Sequence, residues 1–275
     1  MPTALLDRPP DRTSIDAFLG GRLQAVQPLA GHHRAGLEAV LLAAALESSF
    51  SGSVIDLGAG VGVAGLGVAA RCARASVVLV ERDPVAVACA RAALSLPLNR
   101  RFADRVSVVA ADIAASAVVR AGAGVGRAGA AVVIGHPPFR EARANSSSPH
   151  PARAAAHVLA DGGLEPWVKA AASLLKPRGR LIVIFDASGL DQLVLACRGR
   201  FGAFDLLPIQ PRPELPASRL LVSAVKGSRA GPRLLPPLVL HGPTGNEFVA
   251  AVDAVLRGDI GLGDAHAAWP SWGRR

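Results

Sequence analysis

Apolar segments of strand length alternate along the chain with segments that repeat apolar residues at helical spacing. Residues 35–46 show the helical repeat, and residues 53–57 form a mostly apolar run that predicts a buried strand. Further strands are predicted at 76–80, 106–110, 130–135, 181–185, 203–207 and 220–225. Further helices are predicted from about residue 63, at 84–96 and at 164–175, the last closed by a turn at 176–179. This alternation predicts an α/β fold with a doubly wound, mostly parallel sheet and helices on both faces.

Three segments fall outside this alternation. Residues 1–12 and 259–275 are rich in proline, glycine and small residues, which predicts flexible tails on either side of one domain at 13–258. Segment 121–129 contains a G-x-G-x-x-G string, but it precedes a predicted strand and does not join a strand to a helix. We therefore interpret it as a surface connector and not as a phosphate-binding loop.

The composition predicts a large folded core. Hydrophobic residues make up 51% of the 275 positions and charged residues 19%, which excludes disordered and fibrous proteins. Every apolar stretch is interrupted before it reaches the ~18 to 20 residues that a membrane-spanning helix needs. Residues 1–8 also lack the basic flank and apolar run of a secretory signal. We therefore predict a cytoplasmic protein with no membrane span.

Neither the cysteines nor the histidines predict a disulfide framework or a metal site. Cys72, Cys89 and Cys197 form no Cys-x-x-Cys pair and leave an odd count. The histidine pairs at 32–33 and at 150 and 157 lack the i, i+4 spacing and the carboxylate partner of metal ligands. We expect reduced thiols and no bound metal.

The net charge favours a polyanionic partner. The chain carries 30 Lys and Arg against 21 Asp and Glu, a net charge of +9. Almost all of the excess is arginine and it is dispersed along the chain, so an arginine-biased composition without a partner stays an alternative.

The strongest local motif is the strand at 53–57 followed by Gly58, Gly60 and Gly62 and then a predicted helix. Glycines let the backbone turn sharply and approach a ligand, and the amides at the helix start suit a polar or anionic group. Val63 stands where a dinucleotide fingerprint has its third glycine. The alternative is a tight turn without a ligand.

Two acidic residues follow the next two strands. Glu81 ends the second strand, where a carboxylate can hold ribose hydroxyls, and Asp112 follows the third, where it can accept from an adenine amino group. Singly, Glu81 could be a solvated strand end and Asp112 a helix N-cap. Together with the glycines, at the carboxyl ends of successive strands, they predict a nucleoside ligand.

The fourth strand runs into His136, Pro137, Pro138 and Phe139. Consecutive prolines fix the backbone and prevent a helix. A polar side chain, a backbone carbonyl and an aromatic ring in this order could hold a planar amino or amide group, with two acceptors for its hydrogens and a ring on its face. The alternative is a proline turn with Phe139 in the core.

In this order, the motifs resemble the class I S-adenosylmethionine-dependent methyltransferases that carry an Asn-Pro-Pro-Tyr/Phe motif. Residues 16–23, 31–42 and 238–245 narrow the likeness to the bacterial adenine-N6 methyltransferases that modify the adenine beside the anticodon of a valine tRNA. The resemblance spans roughly residues 12–258. It implies a Rossmann-like, seven-stranded sheet, an S-adenosylmethionine cofactor and a tRNA substrate, and we expect a monomer.

The resemblance also implies roles for the cofactor residues. The glycine loop, with Asp56 before it, would approach the methionine part of the cofactor. Glu81 would hold the ribose, and Asp112 the adenine amino group.

At the substrate, His136 and the carbonyl of Pro137 would accept the two hydrogens of the target amino group, with Pro138 in the same loop and Phe139 stacked on the base. His136 replaces the family's asparagine, and a neutral imidazole has one acceptor nitrogen whereas an imidazolium has none. Either neutral His136 substitutes for asparagine, or the chain is a cofactor-binding RNA-interaction module that methylates poorly.

The acceptor and the RNA contacts leave further alternatives. A protein glutamine methyltransferase is a second possible enzyme, because an amide nitrogen presents the same two hydrogens. Arg140, Arg143 and Arg153 follow the proline loop and are expected to contact RNA phosphates, with ordinary solvated charges as the alternative.

Overall fold

The described residues form an N-terminal hairpin and a large sheet with helices on both faces. The computed structural model describes residues 9–10, 12–30, 34–113, 129–137 and 163–270. The strands are β1 Thr13–Phe18, β2 Leu23–Pro28, β3 Ser51–Leu57, β4 Arg74–Glu81, β5 Val106–Ala110, β6 Ala130–Gly135, β7 Leu175–Asp186, β8 Phe201–Gln210, β9 Arg219–Lys226, β10 Arg233–Leu234 and β11 Leu238–Val239. The helices are α1 Leu37–Ala44, α2 Val63–Arg71, α3 Pro84–Leu94, α4 Arg100–Ala103, α5 Glu165–Leu174, α6 Leu190–Cys197, α7 Ala250–Leu256 and α8 Leu262–Ala265.

The sheet is mostly parallel, as predicted, with one reversed strand. Its order is β10-β8-β9-β7-β6-β3-β4-β5, and β9 runs antiparallel to both β7 and β8. The described residues form nine strands in this sheet where the resemblance implied seven. The seven long strands β3 to β9 are present, and the two-residue strands β10 and β11 lie along β8. They pair with backbone groups at what would otherwise be an open sheet edge.

Successive residues of the central strands point to opposite faces of the sheet and build two core layers. One layer contains Val54, Leu79, Ile134 and Ile182 and packs against α1, α2, α3, α7 and α8. The other contains Ile55, Val80, Val133 and Leu181 and packs against α5 and α6. Both faces are thus buried, which explains why these strands read as nearly continuous apolar runs.

The N-terminal hairpin β1–β2 was not predicted. It packs on the α3 side of the fold with Leu23 and Ala25 fully buried. Asn99 fastens it there: its Oδ1 accepts from the backbone N of Gln24 at 3.1 Å, and its Nδ2 donates to the Gln24 carbonyl at 2.6 Å. The buried amide therefore replaces the backbone partner that a neighbouring strand would give β2.

The prediction of a separate turn at 176–179 is wrong, because these residues lie within strand β7. Strand β7 begins at Leu175, directly after α5, and contains this segment as an irregularity: Ala130 pairs with Leu175, whereas Val132 pairs with Arg180. Arg178 adopts a left-handed φ of 63° there. The proline and glycine therefore produce a bulge at the sheet's rim and do not end the strand.

Residues 259–270 are packed against the core and do not form the flexible tail that the sequence predicts from residue 259. Leu262 is fully buried in α8, and Trp269 is 3% exposed. The indole Nε1 of Trp269 donates to the carbonyl of Ala45, just after α1, at 3.0 Å. This segment is packed on the core because its few large apolar residues fit between α1 and α7.

Replacing Trp269 by phenylalanine should lower the free energy of unfolding by about 1 to 2 kcal/mol, because the buried Ala45 carbonyl loses its indole donor. Urea denaturation measures this, with Leu234→Ala, a change at a 74% exposed side chain, as the control. An unchanged midpoint in Trp269→Phe would show that the indole hydrogen bond contributes nothing.

Within the described ranges, the helices are all too short or too polar to cross a lipid bilayer.

Candidate functional site

The glycine loop after β3 has the conformation that its sequence predicts. Gly58, Gly60 and Gly62 all have positive φ, at 78°, 56° and 88°. The amides of Gly58 and Ala59 donate to the carbonyl of Val80 at 2.9 and 3.0 Å, which fixes the loop against β4. A side chain added at Gly62 would lie 2.7 Å from Leu79, whereas one at Gly60 would meet no atom within 4 Å. Glycine thus serves packing at position 62 and leaves an open cradle at position 60.

Asp56 lies beneath this loop. Its side chain is 2% exposed, and Oδ2 accepts from the backbone N of Gly65, in α2, at 2.8 Å. Burial raises the pKa of this carboxyl to about 7; the hydrogen bond from Gly65 opposes the shift, and the nearby charge of Glu81 adds to it. The geometry favours a role in joining β3 to α2 over the expected direct contact with a cofactor.

Glu81, the last residue of β4, holds the tip of the glycine loop. Its Oε2 accepts from the backbone N of Gly60 at 2.8 Å, and its Oε1 accepts from the amides of Arg82 and Asp83 at 2.7 and 2.8 Å. A carboxylate has about four acceptor positions, so a ligand hydroxyl can join these donors or displace one of them.

Asp112 lies beside Glu81, two residues after the end of β5. The strands bring them together: Glu81 pairs with Ala110, and the amide of Ala111 donates to the Glu81 carbonyl at 2.9 Å. The carboxylate of Asp112 is half-exposed and lies 3.8 Å from Arg82, a surface ion pair of little energetic weight. Asp112 is therefore accessible to a ligand at this edge.

His136 and Pro137 follow β6 at the same edge. Asp56 pairs with Ile134 across β3 and β6, so His136 stands level with Gly58. Between the two strands the packing is tight: a side chain at Gly135 would lie 2.9 Å from the Leu57 carbonyl.

Trp167, in α5, packs against the glycine loop and against the end of β6, and the sequence analysis missed it. The indole is 5% exposed. An added carbon at Gly135 would lie 2.6 Å from the ring, and one at Gly58 would lie 3.9 Å from its Nε1. The spacing in α5 shows only that Trp167 faces the core, so nothing in the sequence indicated which loops it touches.

A charged cluster next to His136 was missed as well. Nδ1 of His136 lies 3.3 Å from Oε2 of Glu38, the second residue of α1. Nε of Arg219 contacts the other oxygen, Oε1, at 2.5 Å, and Nη1 of Arg219 lies 3.2 Å from Oδ2 of Asp186. The available signal was an acidic residue in the first turn of a predicted helix, which ordinarily indicates only a favourable helix dipole.

Several predicted residues lie outside the described part of the chain. These are Pro138, Phe139, Arg140, Arg143 and Arg153, together with the histidine pairs at 32–33 and at 150 and 157, and most of the glycine string at 121–129. Their roles stay predictions.

Comparison with known proteins places the chain among methyltransferases. The family model described as methyltransferase small domain matches residues 32–200. The tRNA1(Val) (adenine(37)-N6)-methyltransferase of Porphyromonas gingivalis strain W83 is 30% identical over 220 residues, which cover 77% of this chain and 83% of that protein. The same enzyme from a second strain of that species matches equally.

Solved structures agree. A crystal structure described as a predicted O-methyltransferase from Agrobacterium tumefaciens is 32% identical, with a TM-score of 0.70, and covers 82% of this chain and 97% of that one. TYW2 of Pyrococcus horikoshii, solved in complex with MeSAdo, shares only the fold: it is 14% identical with a TM-score of 0.52, over 80% of this chain and 73% of its own. With the family model matching most of the chain and relatives at 30% identity, this protein belongs to the methyltransferase small domain family.

Proposed function

We propose that this protein transfers the methyl group of S-adenosylmethionine to N6 of an adenine in tRNA, in the cytoplasm. One observation carries the proposal. Four neighbouring strands, in the order β6-β3-β4-β5, each end at the same edge in a residue or loop suited to one part of this reaction. In that order they present His136, the glycine loop, Glu81 and Asp112.

The residues at this edge fit the cofactor. The open cradle at Gly60 accommodates the methionine part, Glu81 offers acceptors for the ribose hydroxyls, and Asp112 offers an acceptor for the adenine amino group. When bound, S-adenosylmethionine supplies an electrophilic methyl group on a sulfonium sulfur. Because β3, which carries the glycine loop, lies between β6 and β4, the residues that would hold the methionine part of the cofactor lie next to His136.

His136 and Pro137 would prepare the nitrogen that receives the methyl group. The lone pair of an exocyclic amino group is delocalised into the base, which makes the nitrogen a poor nucleophile. Two acceptors, the neutral His136 imidazole and the Pro137 carbonyl, would accept hydrogen bonds from its two N–H groups and favour a pyramidal nitrogen with a localised lone pair. Positioning of this kind supplies most of the rate in such transfers.

The names of the relatives and the positive net charge of the chain support tRNA as the substrate. The Porphyromonas enzymes are named for adenine 37 of a valine tRNA. The net charge of +9 suits a phosphate backbone. All three cysteines are buried free thiols, which is compatible with a reducing cytoplasm.

Methyl transfer from labelled S-adenosylmethionine to unmodified bulk tRNA tests the proposal, with the product nucleotide mapped by mass spectrometry. Wild type should yield N6-methyladenosine, His136→Asn should be active, and His136→Ala should lose most activity because one acceptor is removed. The wild-type rate should fall once the pH is low enough to protonate His136, since an imidazolium cannot accept a hydrogen bond, while His136→Asn should show no such fall.

Each other outcome points elsewhere. If wild type methylates no tRNA but His136→Asn does, the protein is a cofactor-binding module that has the fold of an enzyme. A methylated ribose oxygen would favour the acceptor type suggested by the Agrobacterium protein's description. Methylation of protein glutamine but not of tRNA would replace the proposed substrate class.

A further inference from the structure

We propose that Glu38 is a positioning residue that holds neutral His136 in a single tautomer, with the proton on Nδ1. The inference rests on the proposed function for its catalytic meaning, but its geometry does not depend on the substrate. Glu38 lies in the segment 31–42 that narrows the resemblance, but the resemblance implies no role for it or for Arg219 and Asp186.

The contact geometry defines the roles of the two Glu38 oxygens. Oε2 lies 3.3 Å from Nδ1 of His136, and Oε1 accepts from Nε of Arg219 at 2.5 Å. Side chains of His136 and Glu38 are only 21% and 24% exposed, so the contact is largely shielded from solvent. Shielding of this degree strengthens the electrostatic attraction between the two groups relative to a surface contact.

The carboxylate is held in place from several elements. Glu38 lies in the first turn of α1, a helix with five buried residues, so its backbone is fixed against the core. Arg219 begins β9 and also donates from Nη1 to Asp186, at the end of β7, at 3.2 Å. Arg219, itself held by Asp186, thus fixes the carboxylate of Glu38, which in turn faces the residue after β6.

The chemistry of the contact sets the tautomer. An ionised carboxylate only accepts hydrogen bonds, so the neutral ring must carry its proton on Nδ1 to bond to Glu38. Nε2 is then the acceptor nitrogen, equivalent to the side-chain oxygen of the asparagine that the resemblance places here. Without Glu38, a share of the rings would carry the proton on Nε2 and present a donor to an amino group that needs an acceptor.

The tautomer can be observed directly. In protein labelled with ¹⁵N-histidine at pH 8, His136 should show a pyrrole-type Nδ1 and a pyridine-type Nε2, its signals being assigned by their loss in His136→Asn. In Glu38→Gln the two nitrogens should move toward a tautomer average. Glu47→Gln, three residues beyond the C-terminal end of α1, serves as the matched control and should leave the His136 signals unchanged.

Kinetics supply the second readout. Glu38→Gln should lower kcat about tenfold with little change in the KM for cofactor, because the acceptor is lost from part of the population. In the His136→Asn background the same change should have little further effect, since no tautomer remains to be set. Such non-additivity separates positioning from general damage to the fold.

Two results would overturn the inference: a pyridine-type Nδ1 in wild type, or a tautomer that does not respond to Glu38→Gln. Equal loss of kcat in both backgrounds would also overturn it and assign Glu38 a structural role. If wild type methylates nothing but the ¹⁵N signals behave as described, the proposed function fails while the positioning of His136 stands.

Discussion

Asp56→Asn should remove a pH dependence of stability that amounts to about 2 to 3 kcal/mol between pH 5 and 8. Burial raises the pKa of the Asp56 carboxyl from 3.8 to about 7 in the folded protein. Between these values the folded state keeps a proton that the unfolded state has lost, so stability decreases as pH rises. The stability that the Asp56 proton contributes is fully present below about pH 4 and is lost as the pH rises through about 7.

Asparagine mimics the protonated form, since its Oδ1 can accept from the Gly65 amide as Asp56 does. The variant should therefore be more stable than wild type at pH 8 and nearly equal to it at pH 4. Urea denaturation at several pH values gives both curves, and Asp104→Asn, at an exposed position after α4, controls for the loss of one carboxylate. Parallel curves for wild type and Asp56→Asn would mean that folding does not raise the pKa of Asp56.

The central sheet was predictable because local pattern and tertiary environment agree there. The strands at 106–110 and 130–135 have the predicted bounds, and α2 begins at residue 63 as expected. Strands buried on both faces are apolar throughout, and glycine or proline separates them from the helices. The positions of Gly58, Gly60, Gly62 and Glu81 follow from this, since residues at the carboxyl ends of parallel strands meet at one edge.

The prediction fails where long-range contacts decide the local structure. The segment 176–179 contains proline and glycine, and by itself it indicates a turn. Pairing with β6 nevertheless keeps it within β7 as a bulge. The hairpin β1–β2 has too little apolar periodicity to be recognised, and the side chain of Asn99 that bonds to it lies more than 70 residues away in sequence.

The same reasoning explains which site residues were missed. Glu38 and Trp167 are ordinary helical residues by pattern, and only the tertiary structure brings them to His136 and the glycine loop. Glu81 was found because it ends a strand, yet its three backbone hydrogen bonds were not foreseen. Sequence motifs therefore indicate which residues lie at the carboxyl edge of the sheet, whereas the residues that contact them from other elements are identified by distance in the fold.

Glu81→Ala should weaken the binding of S-adenosylmethionine about 10- to 100-fold, which corresponds to about 1 to 3 kcal/mol. Two losses contribute: the acceptors expected to hold the ribose hydroxyls, and the hydrogen bond that fixes the Gly60 amide. Calorimetric titration measures the affinity, and Glu214→Ala, at an exposed position between β8 and β9, should bind as wild type does.

The two contributions can be separated with a ligand that lacks one ribose hydroxyl. Wild type should bind S-adenosylhomocysteine more tightly than its 2′-deoxy analogue, because an acceptor on Glu81 loses its donor. Glu81→Ala should bind the two ligands almost equally if the carboxylate contacts the ribose. If the variant is folded and still discriminates between them as wild type does, Glu81 acts only by holding Gly60, and another group must hold the ribose. If Glu81→Ala binds both ligands with the affinity of wild type, neither the ribose contact nor the hydrogen bond to Gly60 contributes to cofactor binding.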